Sequence, residues 1–156
     1  MSQLRDKTQF CSRVNGMDEI KEKVQKGWIH SKMWFDVLAA TKEVAEESLK
    51  NHIEKIKKLE NCVVLREDLK ETIEVKKPLP RVEKAYSKAA EIEVLTKDIE
   101  TLLSITIFFA PSAVEVIEPD SLKITAASIQ TIMNTVADLL HRFASQGIGG
   151  VVIAKT

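Results

Sequence analysis

The sequence predicts a mainly α protein: an antiparallel bundle of three long helices, with a fourth short one available at residues 2–14, joined by short extended or hairpin connectors. Three observations lead there. Apolar residues recur three or four positions apart over long stretches, the period of a helix that buries one face. Only five glycines occur in 156 residues, and aromatics make up 5%, whereas an all-β sandwich needs turn glycines at short intervals. Finally, Glu19–Lys23, Glu22–Lys26, Glu46–Lys50 and Glu54–Lys58 are spaced i, i+4 with the acid first, the favoured order on a helix surface.

The first helix is expected over residues 18–59. Its apolar positions are Ile20, Val24, Trp28, Phe35, Leu38, Ala45, Leu49, Ile53, Ile56 and Leu59. Asn15, Gly16 or Asp18 can cap its start, and Asn61 can take the left-handed conformation that ends it. At about 1.5 Å per residue it would be roughly 60 Å long unless Gly27 bends it. Residues 62–76 lose the helical period, and a small β-hairpin fits there, with a helical turn at "REDLKETI" as the alternative. The second helix is expected from Pro80 or Arg81 to Phe109, with Val82, Ala85, Tyr86, Ala89, Ile92, Ile99, Leu102 and Leu103 facing inward. Pro80 suits a first turn, and Pro111 disfavours the α region at the residue before it. Residues 112–124 read as an extended connector that turns at Pro119-Asp120. The third helix, from Thr125 to before Gly147, has the cleanest face: Ile129, Ile132, Met133, Val136, Leu139, Leu140 and Phe143.

Length and composition bound the rest. A chain of 156 residues fits one domain, with residues 1–15 and 147–156 expected as flexible tails. Basic and acidic residues balance at 23 each, so no whole-chain field draws the protein to nucleic acid or anionic lipid. No apolar stretch is long enough to span a bilayer, and the polar start is unlike a secretory leader. Two distant cysteines, Cys11 and Cys62, make no disulfide framework. These features point to a cytoplasmic protein with reduced thiols. Lys and Glu dominate the charges while Asn and Gln are few, the composition of a heat-adapted source.

Candidate sites are sparse. Asp138 and His141 form one acid-x-x-His pair, a distant relative of the motif that holds metals inside bundles. A di-metal centre needs two such pairs, so no metal and no cofactor is expected. Neither cysteine has a His and an acid at catalytic spacing, and "GIGG" lacks the strand, helix and Lys of a phosphate loop. The stretch "KEKVQKGWIHSKMWF" could pair lysines with phosphates and stack bases on Trp. Lys21, Lys23 and Lys26 are balanced by Glu19 and Glu22, however, so a nucleic-acid partner is not expected.

The strongest signal is an apolar girdle: Trp28, Ile29, Met33, Trp34, Phe35, Val37 and Leu38 point in nearly every direction if residues 28–38 are helical. An all-round apolar helix must be covered on all sides, and two shorter helices cannot wrap it. Part of the girdle is therefore expected to face another subunit, most simply in a two-fold dimer, or a ligand lodged among the helices, with a fourth helix at 2–14 covering it as the plainer alternative.

The segments "APSAVEVIEPDSLKI" and "TIMNTVADLLHRFA" resemble small uncharacterised archaeal proteins over the last third of the chain. The resemblance implies an archaeal source and no activity or site residue. The expected function is that of a non-catalytic, self-associating protein acting through a protein partner not identified by the sequence. An enzyme or small-ligand binder with a pocket between helices is the alternative, and a nucleic-acid accessory protein comes third.

Overall fold

The computed structural model describes residues 16–146. The expected tails at 1–15 and 147–156 lie outside the described residues, as does Cys11. The chain divides into two compact units, residues 1–122 and 123–156, which are described separately.

The first unit is built on a five-stranded antiparallel sheet, and this overturns the expected helical bundle. In chain order it contains α1 (Met17–Gln25), β1 (Ile29–Ala39), α2 (Lys42–Lys57), β2 (Cys62–Leu69), β3 (Ile73–Leu79), β4 (Val82–Thr96), α3 (Ile99–Phe109) and β5 (Ala113–Glu118). The second unit contains α4 (Ala126–Ser145).

Strand order is β2-β4-β1-β5, and β3 pairs with the first half of β4. Both β1 and β2 run antiparallel to β4, so they are parallel to each other across it, with α2 as the crossover. By the same reasoning β4 and β5 are parallel across β1, with α3 as the crossover. Two interleaved split βαβ units of this kind make a ferredoxin-like topology, here with an extra strand, β3, in the hairpin between β2 and β4.

The expected helix at 18–59 is thus α1, β1 and α2 in succession, and the one expected from Pro80 or Arg81 to Phe109 is β4 joined to α3. Gly27, at φ 97, lets the chain leave α1 and enter β1 without a Cβ clash. The Thr41 hydroxyl then accepts from the Val44 amide at 3.3 Å and caps α2. Asn61 has φ 59 after α2, the left-handed conformation expected of it. The hairpin expected at 62–76 is also replaced: β2 and β3 are both extended, yet each pairs with β4 rather than with the other. The Asp98 carboxylate starts α3 by accepting from the Thr101 amide at 2.8 Å. Ala110 ends it at φ 46, an unusual conformation for a residue with a Cβ. The connector expected at 112–124 supplies β5, a strand of the sheet.

One face of the sheet is covered by α2 and α3. Ile29, Met33 and Phe35 of β1, Cys62 and Val64 of β2, and Ala90, Ile92 and Val94 of β4 meet Leu49, Ile53, Ile56, Leu102 and Ile105. Alternate residues along each strand point this way, as the two-residue period of a strand requires. On the opposite face, α1 covers one end only, where Ile20, Val24, Trp28 and Leu65 pack against Val63 and Leu95. No other element of the first unit covers the remainder of that face among the described residues.

Candidate functional site

The face left open by α1 carries the polar half of the strand alternation. The strand registers arrange it in rows. Arg66 of β2, Glu93 of β4, Lys32 of β1 and Glu115 of β5 lie side by side, so charges of alternating sign run across four strands. The next row holds Asp68, Glu91, Trp34 and Ala113. On the side towards α1, His30 sits between Leu95 and Glu118.

Diagonal contacts between rows, and one within a row, knit this face together. Lys32 Nζ lies 3.0 Å from Glu91 Oε1. The Trp34 indole N–H donates to Glu91 Oε2 at 3.2 Å, and His30 Nε2 lies 3.2 Å from Glu93 Oε2. The side chains of His30, Glu93, Lys32 and Glu91 are only 11%, 23%, 26% and 27% exposed, because they screen one another from water. The hydrogen bond from Lys32 holds the Glu91 carboxyl below its ordinary range, partial desolvation opposes it, and the indole N–H assists. Lys32 is raised in turn, chiefly by its bond to Glu91. Lys70 pairs with Asp68 at the rim.

Beyond Trp34 the face sinks into a shallow depression of about 370 Å³. Ala89 and Ala113 form its floor because their side chains are short, and Trp34, Asp36, Lys70 and Ser112 rise around it. The Ser112 amide donates to the Trp34 carbonyl at 2.7 Å, which fixes the start of β5 beside this hollow. A second cleft, of about 330 Å³, lies between the end of α2 and α3, where Leu59, Ile105, Phe108 and Phe109 meet Glu60 and Glu100.

The expected interface residues are divided by the strand. Ile29, Met33 and Phe35 are at most 2% exposed inside the core of their own chain, and Val37 packs against that core. Trp28 packs beneath α1, with the Lys23 ammonium 4.3 Å from its ring centroid. Trp34 stands on the open face and Leu38 is exposed. The girdle is therefore the two faces of β1, and the premise of an all-round apolar helix falls with the bundle. Within the basic stretch, Lys26 pairs with Glu22 at 2.9 Å. Acids outnumber bases on the open face, which disfavours a phosphate backbone there.

In the second unit, α4 lies where the sequence places a helix, with the Thr125 hydroxyl accepting from the Ser128 amide at 3.1 Å. None of its residues is buried. Ile129, Met133, Leu140 and Phe143 are 47%, 58%, 46% and 40% exposed, and with Ile132, Val136 and Leu139 they form one stripe. Asp138 and His141 are exposed on the same helix. No group of three or more His, Cys, Asp or Glu side chains able to hold a metal occurs among the described residues. No helix among them is long and apolar enough to cross a membrane.

The polar face of the sheet was missed in the sequence, although "EIEV" at residues 91–94 carries its period-two signal. Comparison with known proteins places this chain by family alone. The chain belongs to the MJ0538 family, whose model matches residues 30–156. That family is named for a Methanocaldococcus jannaschii protein and implies no function, in keeping with the resemblance to small archaeal proteins. No curated protein and no solved structure matches the chain.

Proposed function

We propose that this member of the MJ0538 family is a non-catalytic protein that associates with copies of itself and works through protein–protein contact, with α4 as the contact. The observation that carries this reading is a stripe of seven apolar side chains on α4, of which Ile129, Met133, Leu140 and Phe143 are exposed and Ile132, Val136 and Leu139 half-buried, none being fully buried. A lone helix of 20 residues is marginal in water and gains most of its stability by packing its apolar face.

The stripe has the geometry of a helix–helix contact. Ile129, Ile132, Val136, Leu139 and Phe143 alternate spacings of three and four, the seam of paired helices, and Met133 and Leu140 widen it by a third row. Charge selects the direction. Asp138 and Arg142 are the only formally charged residues of α4, and both lie near its C-terminal end. An antiparallel pair sets that end against the neutral first half of its partner and opposes the helix dipoles, whereas a parallel pair would bring like charges together.

Area sets the strength. A helix of 20 residues is about 30 Å long, so a seam about 10 Å wide covers about 300 Å² of each. That is well below the roughly 800 Å² per partner of a standard stable complex. The association is therefore weak and concentration-dependent. Sedimentation equilibrium of the full chain should show the mass rising towards a dimer with concentration, and Val136→Glu, in mid-stripe, should remain monomeric. Because the first unit has a core of its own, the variant should keep that unit's tryptophan fluorescence. A wild-type chain that stays monomeric throughout, or a variant that associates equally well, would overturn this reading.

A further inference from the structure

We propose that the depression beside Trp34 binds a small, elongated zwitterion: a molecule with an ammonium at one end, a carboxylate at the other, and an apolar middle. The inference rests on the sheet face and is independent of α4. The Lys70 amide donates to the Ala89 carbonyl at 2.9 Å, and Ala89 lies opposite Asp36 in the β1–β4 register. Lys70 and Asp36 thus flank Ala89 on either side, with their backbones about 10 Å apart at two strand spacings. Between them the floor is the methyl group of Ala89, and the Trp34 ring forms a wall.

The two poles are available in different ways. Asp36 is exposed, and its carboxylate has no hydrogen-bond or ion-pair partner among the described residues. Its carboxylate, which lines the same hollow as Trp34, suits a cation. Lys70 is paired with Asp68, both side chains being about half exposed, and an exposed pair of this kind is weak enough for a ligand carboxylate to compete. A hollow of about 370 Å³ lies at the small end of ligand-site volumes. A molecule carrying both charged groups on one carbon cannot reach the two poles together; one carrying them several bonds apart can.

The test uses the full chain labelled with nitrogen-15 and the indole N–H signals of its two tryptophans, titrated with 6-aminohexanoate. The Trp34 signal should shift saturably while the Trp28 signal, beneath α1, stays in place. Norleucine has the same atoms with its charges adjacent, and it should bind more weakly. Hexanoate and hexylamine should each bind more weakly as well, the first sensitive only to Lys70→Gln and the second only to Asp36→Asn. Each substitution removes one charge-assisted contact and should weaken 6-aminohexanoate binding by about tenfold or more. Both positions are exposed, so the variants should retain wild-type circular dichroism. No saturable shift of Trp34, equal binding of norleucine, or 6-aminohexanoate affinity unchanged by both substitutions would overturn the proposal.

Discussion

Ile92 offers the sharpest test of how the first unit is held together. It lies in the second half of β4, is fully buried, and stands opposite Met33 of β1 in the core that α2 and α3 cover. Ile92→Ala removes three carbons, which at about 0.8 kcal/mol each gives about 2.4 kcal/mol of lost transfer free energy. Strands on either side and helices above leave little freedom to collapse. A residual cavity of about 60 Å³, at about 24 cal/mol per Å³, adds about 1.4 kcal/mol. The expected cost is therefore about 4 kcal/mol, a large part of the 5–15 kcal/mol typical of a domain. Ile92→Val removes one carbon and should cost about 1 kcal/mol. Urea unfolding followed by tryptophan fluorescence is the suitable assay, because Trp28 and Trp34 both lie in the first unit. A loss below about 1 kcal/mol for the alanine variant would mean that Ile92 is not enclosed by the sheet and two helices, and the packing described above would be refuted.

Two further outcomes follow from local chemistry. Ala110→Gly should stabilise the chain by about 0.5–1 kcal/mol, because glycine takes the left-handed conformation that ends α3 without the Cβ penalty; a destabilised variant in the same urea assay would refute this. The Glu91 carboxyl is held below its ordinary value of 4.5 by the Lys32 hydrogen bond, so its stabilising contribution is present above that pH and is lost as pH falls through its lower folded-state value. Unfolding curves across the acid range should show wild type and Glu91→Gln converging as pH drops, and a gap that widens on acidification would contradict it.

How much could be read in advance depended on whether tertiary pairing agreed with local pattern. The helix at 126–145 was legible because nothing competes with its period and Thr125 caps it. The stretches 18–59 and 80–109 misled for a common reason. Residues four apart, such as Ile29 and Met33, share a face on a helix and also on a strand. The core face of β1 reads Ile29, Ser31, Met33, Phe35, Val37, and the buried Ser31 blurs its alternation. In β4 the run Lys84–Ala90 is rich in Ala and Lys, good helix formers whose preference is outweighed by pairing on both edges. The candidate site was hidden with the strands, since Asp36, Lys70 and Ala89 are neighbours only across the sheet.

The broken edge made by β2 and β3 bears on how this sheet avoids pairing with foreign strands. β4 is 15 residues long, and a single uninterrupted partner along it would offer an equally long outer edge to any passing chain. The border is instead divided between two short strands separated at residues 70–72, with a register shift after Val64 and another after Lys76. The opposite border, β5, is six residues long, carries Glu115 and Glu118, and is followed directly by Pro119. Interruptions, irregular register, charge and proline all deny a foreign strand a continuous template. A sheet built around one long strand can thus remain resistant to runaway edge-to-edge growth.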